Sequence, residues 1–137
     1  MDNVVLNKVA TIERCLHRVH EEYAGQAENL EHDITRQDSI ILNIQRACEA
    51  SIDLAMHLVR RFALGVPQDS RQAFDLLVDA GKLDAAMADA LKRMVGFRNI
   101  AVHDYQRLNL AIVRSIIEHK LEDLRAFAAH ALTLADI

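Results

Sequence analysis

One proline, four glycines, two cysteines, six aromatic residues and no tryptophan are spread over 137 positions. So little proline and glycine excludes collagen-like, low-complexity and loop-rich all-β architectures. The cysteines, Cys15 and Cys48, lack CxxC spacing and lie inside amphipathic stretches, where they read as buried, reduced thiols. No apolar run approaches the roughly 20 residues of a membrane span. The opening residues lack the basic stretch and long apolar core of a signal peptide. What is abundant is apolar: 51% of residues are hydrophobic and 26% charged. That is too apolar for a disordered chain and long enough to bury a core without staples. The expectation is one soluble, cytoplasmic, helical domain over residues 1–137.

The formal net charge is −4, which argues against a generic nucleic-acid binder. The distribution is uneven. From Leu91 to Ile117, Lys92, Arg93, Arg98, Arg107 and Arg114 face Asp104 alone, a net of +4, and the other 110 residues carry a net of −8. That window is where an anion is least unwelcome.

Apolar periodicity predicts the elements. Val5, Val9, Ile12, Leu16, Val19 and Tyr23 place one stripe on a first helix from about Asn3 to Tyr23. Gly25 and the polar stretch to Asp33 break it. Thr35 with Asp38 resembles a capping box for a long helix from about Arg36 to Leu64. Ile41, Ile44, Cys48, Ile52, Ala55, Val59 and Phe62 line one of its faces, and Ile40, Ala47, Leu54 and Leu58 a second. Two apolar faces suggest several neighbours, a second copy of the chain among them. Gly65, Val66 and Pro67 end that helix. Ser70 is the expected cap of a short helix, Asp84 of the next and Asn109 of the last. The predicted architecture is all-α: an antiparallel bundle of four main helices plus a short one.

Between the expected last two helices stands Gly96-Phe97-Arg98-Asn99-Ile100-Ala101-Val102-His103-Asp104-Tyr105. On a continuous helix Arg98 and Tyr105, seven apart, share a face, whereas His103 points well round from Arg98. Arg and His converge only if the helix ends near His103 or a second chain supplies part of the site. Such a cluster taken alone is as readily a helix terminus with a packing tyrosine.

Arg98, four residues, His103, one residue, Tyr105 resembles the signature of the HepT-type toxins. These belong to the HEPN superfamily of small all-helical ribonucleases. The likeness extends to Asp38-Ser39-Ile40-Ile41-Leu42-Asn43-Ile44-Gln45-Arg46 with Glu49, and to Lys92-Arg93-Met94-Val95-Gly96-Phe97. It covers essentially the whole chain. The resemblance implies a HEPN-like fold and the toxin of a type VII toxin–antitoxin system, a metal-independent endoribonuclease. It also implies a homodimer with two motifs facing each other, and an MntA-type nucleotidyltransferase antitoxin that attaches AMP to Tyr105. RNA, a second copy and that antitoxin are the expected partners, with no membrane and no DNA among them. The alternative is a non-catalytic helical subunit that binds or regulates a nucleotidyltransferase.

The chemistry suits RNA cleaved by its own 2′-OH. A histidine with an ordinary pKa near ~6.5 exchanges a proton at cellular pH, the role expected of His103. Arg98 stays charged and holds phosphate oxygens in a fork. Asn99 supports by orienting the phosphate or the imidazole, or caps a helix end. Asp104 holds the imidazole or, the preferred reading, sits in solvent. No metal or cofactor is expected. Glu13, His17, His20 and Glu21 have metal-like spacing but read as a solvated face, and His57, His119 and His130 as lone surface or boundary residues. Nearly all the aromatics fit core stripes or the lead-in to the motif, leaving no stacking platform for reading bases.

Overall fold

The computed structural model describes residues 1–136. Helix α1 spans Asn3–Tyr23, α2 Ala27–Glu31, α3 Ile34–Arg61, α4 Ser70–Asp79 and α5 Ala85–His103. A 3-10 turn over Tyr105–Arg107 follows, then α6 over Leu110–Ser115, a π-helical stretch over Ile116–Lys120 and α7 over Leu121–Ala135. The helical class and the four long elements with a short α4 agree with the sequence expectation. The five-residue α2, lying in the stretch read as a break, does not.

Local chemistry explains most ends. The Asp2 carboxylate accepts from the Val4 and Val5 N–H groups at 3.1 and 3.2 Å and starts α1. Ala24 and Gly25, at φ 51° and 69°, turn the chain into the left-handed region that stops it. Asn109 caps α6 through the Ala111 N–H at 2.8 Å, as expected. Two expected caps are displaced. Asp33, not Thr35 or Asp38, accepts from the Arg36 N–H at 3.1 Å, so α3 starts two residues earlier. Asp69, not Ser70, accepts from the Gln72 N–H at 2.8 Å. In both cases an aspartate just upstream already stands in extended geometry and reaches the N3 amide. Asp84 precedes α5 as expected, without a side-chain capping bond. α3 ends at Arg61 rather than Leu64, because Ala63 adopts φ 53°.

α1 packs along α3; α3 also carries α4 and α5; α7 closes against α1, α3 and α5. Ile41, Ile44, Cys48, Ala55 and Val59 on one face of α3 and Ile40, Ala47, Leu54 and Leu58 on the other are all buried. Each large side chain so buried contributes roughly 1.5–3 kcal/mol. Neighbours within the same chain cover most of both faces, with Ile52 and Phe62 left partly buried, so the two-faced pattern does not require a second copy. Cys15 and Cys48 are buried and free. Burial pushes the Cys48 thiol up to about 12. Within the π-helical stretch Glu118 accepts a 2.6 Å bond from the Tyr23 hydroxyl and a 3.2 Å bond from Arg114 Nε. These bonds, Tyr23's foremost, hold its carboxyl below the usual range. The widened turn fixes α6–α7 to the end of α1.

No helix is long and apolar enough to cross a membrane among the described residues.

Candidate active site

α5 carries most of the motif. It does not stop short of Arg98 but runs on to His103, with Asp104 as its C-cap at φ −152°. The motif therefore lies inside α5 rather than between two helices. The helix ends at His103 but still includes it. Residues five apart on a helix stand about 140° apart around its axis, so this ending does not bring Arg98 and His103 onto one face.

Arg98 is gripped from two sides. Its Nε and Nη2 donate to Glu49 Oε2 on α3 at 3.2 and 3.0 Å. Its Nη1 donates to Asn99 Oδ1 at 3.2 Å. Of five guanidinium N–H groups three are used, leaving one on each terminal nitrogen. Those two remain to meet oxygens of a phosphate. The side chain is 29% exposed, so the group is reachable. The Asn99 side chain thus touches the arginine directly.

His103 is exposed at the last position of α5 and has no hydrogen-bond partner among the described residues. Asp104 does not hold it: the Asp104 carboxylate pairs with Arg107 Nε at 3.3 Å in an exposed contact.

Tyr105 departs from the helical geometry in which it would share a face with Arg98. The chain leaves the helix at Asp104, and Tyr105 opens the 3-10 turn. Its hydroxyl donates to Asp38 Oδ1 in the second turn of α3 at 2.5 Å. Burial, with the Asp38 bond, pushes the phenol up to about 12. Asp38 and Glu49 both line a groove of about 640 Å³ between α1 and α3. Both residues lie in the stretch of sequence similar to the HepT-type toxins, where nothing local marks either for the site. The available signal was acidic residues placed on a helix whose other faces are apolar.

Several of the other titratable residues have structural partners. His17 pairs with Glu21 at 3.6 Å and Glu13 with Arg125 at 3.9 Å. His57 and His130 are not alone. His57 Nε2 meets Asp2 at 2.8 Å, and His130 Nε2 meets the Lys82 carbonyl at 2.5 Å.

An all-helical bundle that ends a helix on histidine, with an arginine five positions before it anchored to the neighbouring long helix, is the arrangement that the resemblance to the HEPN superfamily implies. Residues 12–131 match the family described as Ribonuclease HepT-like. The mRNA nuclease HepT of Shewanella oneidensis is 50% identical over 127 residues, covering 93% of this chain and 95% of that one. A putative RNase of Archaeoglobus fulgidus is 26% identical over 118 residues, 86% and 88% of the two chains. Among solved structures, the tri-AMPylated Shewanella oneidensis HEPN toxin in complex with MNT antitoxin superposes with a TM-score of 0.91 at 47% identity, over 97% of this chain and 99% of that one. A toxin–antitoxin structure with AMP-PNP gives a TM-score of 0.90 at 46% identity, over 96% and 99%. The chain belongs to the HepT-like ribonuclease family.

Proposed function

We propose that this chain is the toxin of a type VII toxin–antitoxin pair, a cytoplasmic, single-domain endoribonuclease that needs no metal. The carrying observation is Arg98: Glu49 and Asn99 fix its guanidinium so that two N–H groups remain for a phosphate, on the helix that ends at an unpartnered His103. The RNA 2′-OH attacks the adjacent phosphorus. His103 moves the proton to or from the reacting oxygen. Arg98 holds the charge that builds on the non-bridging oxygens, worth roughly 3 kcal/mol for a preorganised donor. The 5′-oxygen leaves, and a 2′,3′-cyclic phosphate remains. Asn99 supports through Arg98, and Asp104 caps α5 and steadies Arg107.

A second copy completes the site, because Arg98 and His103 diverge on one chain. The surface for it is the apolar groove of about 430 Å³ between α5 and α6, lined by Met94, Phe97, Ile100, Leu108 and Ile112. Ile100 and Ile112 are exposed here, at 46% and 57%. The antitoxin is a nucleotidyltransferase, and Tyr105 accepts its AMP. The relatives' tri-AMPylated toxin and complex with an MNT antitoxin support this reading. The added phosphodiester brings negative charge to the turn just beyond His103 and competes there with an RNA phosphate.

Purified chain incubated with cellular RNA in EDTA tests the proposal. Cleavage to cyclic phosphate ends, lost in His103→Ala, is expected. A magnesium requirement, 3′-hydroxyl products or an active His103→Ala overturns it. An inert wild type that still binds the nucleotidyltransferase supports a non-catalytic subunit instead.

A further inference from the structure

We propose that Asp38 is the base for the chain's own modification, taking the Tyr105 proton as that oxygen attacks an adenine nucleoside triphosphate held by the nucleotidyltransferase. The inference rests on the reading of Tyr105 as AMP acceptor and adds what the target itself contributes.

A protonated phenol is a poor nucleophile. Here burial and the neighbouring carboxylate raise the phenol to about 12, so scarcely any of it is ionised at neutral pH. The proton has to leave during the attack, to an acceptor already in place. Asp38 Oδ1, at 2.5 Å, is the hydrogen-bond acceptor that the described residues offer Tyr105 Oη. His103, two residues away, makes no bond to it. Tyr105 is 41% exposed, so the residue lies at the surface where a partner enzyme can reach it.

A carboxylate beside the acceptor repels a triphosphate unless cations offset it. The groove that Asp38 lines supplies them: Arg14 and Arg46 also line it, and neither forms an ion pair among the described residues. In the step, the bond from Tyr105 Oη to the α-phosphorus forms. The bond from that phosphorus to pyrophosphate breaks, pyrophosphate leaves with the electron pair, and the phenolic proton passes to Asp38. The esterified oxygen no longer has a proton to donate. The tie between the 3-10 turn and α3 is cut, and the Asp38 carboxylate then faces a phosphodiester of like charge.

The test follows increments of ~329 Da (the mass of one AMP residue, carrying phosphodiester charge) by intact-mass spectrometry over time. The wild type, Asp38→Asn and Asp38→Ala are each mixed with the cognate nucleotidyltransferase, ATP and magnesium. Circular dichroism melts and a binding titration with the nucleotidyltransferase show that each variant folds and docks. A proton acceptor lost from the transition state lowers the rate about a hundredfold or more. That loss is expected in both variants, although Asn retains an acceptor oxygen for the phenol. Added formate should restore a several-fold faster rate to Asp38→Ala and leave the wild type unchanged. Asp38→Asn modified at the wild-type rate overturns the proposal alone. Loss in both variants without formate rescue overturns it too, leaving Asp38 a positioning residue. A wild type that is never modified removes the AMP-acceptor reading and this proposal with it.

Discussion

Asp2 fastens three segments at one end of the bundle, and the strength of that fastening is measurable. Its carboxylate caps α1, accepts from His57 Nε2 at 2.8 Å and from Arg61 Nη1 at 3.0 Å. Arg61 in turn donates to the Ala135 carbonyl at 2.8 Å, bringing in the end of α7. The His57 hydrogen bond above all lowers the Asp2 carboxyl to about 2, from an ordinary 3.8. The side chain is only 12% exposed, so solvent screening removes little of the effect. A depression of this size corresponds to about 2 kcal/mol in favour of the folded state. Because the folded value lies below the unfolded one, the contribution is complete above pH ~5 and fades as pH falls from ~4 to ~2. At pH ~3 the unfolded carboxyl is largely protonated while the folded one stays ionised, and about 1 kcal/mol of the contribution has gone. Asp2→Asn keeps the shape and the capping oxygen and mimics the protonated group. Urea unfolding followed by far-UV circular dichroism, suited to a chain without tryptophan, compares it with the wild type. The expected gap is about 2 kcal/mol at pH ~6, narrowing to about 1 at pH ~3. A gap that stays flat over that range, or an Asn variant as stable as wild type at pH ~6, refutes the reasoning.

Arg98→Lys retains the charge but loses the fork, and cleavage should fall about a hundredfold in kcat; near-normal turnover would deny the bidentate role. Glu49→Ala frees the guanidinium, so kcat should fall about tenfold or more with a smaller change in KM, and Glu49→Gln, which keeps an acceptor oxygen, should recover much of it. Unchanged kcat in Glu49→Ala would remove Glu49 from the site. Phe127 is fully buried and meets Phe74 edge-on at 5.7 Å, so Phe127→Ala should cost about 3–5 kcal/mol in the same unfolding assay. Cys15 and Cys48 are buried, with both thiols raised by desolvation, so an aromatic disulfide reagent should label neither until the chain is unfolded.

Several features are fixed by local sequence. The stripes on α1 and α3 follow from apolar residues three and four apart, and every member of the first stripe, from Val5 to Tyr23, is buried. The Arg98, His103 and Tyr105 spacing marks the candidate site through its resemblance to the HepT-type signature, a guanidinium, an imidazole and a phenol within a short stretch. Cap positions shifted by a residue or two, since several polar side chains compete for the same amides and only backbone geometry selects Asp33 and Asp69.

Tertiary packing alone decided what those side chains touch. Glu49 grips Arg98 across 49 positions, and Asp38 holds Tyr105 across 67. No periodicity within one helix encodes such pairs, because they arise only when α3 is laid against α5 and the turn beyond it. The end of α5 at His103 releases Tyr105 from the face it would share with Arg98 and delivers it to α3. Packing also reversed one inference: the second apolar face of α3 is spent on neighbours within its own chain, so the case for a second copy moves to Ile100 and Ile112. Sequence periodicity states how much apolar surface must be covered, and only the assembled core decides what covers it.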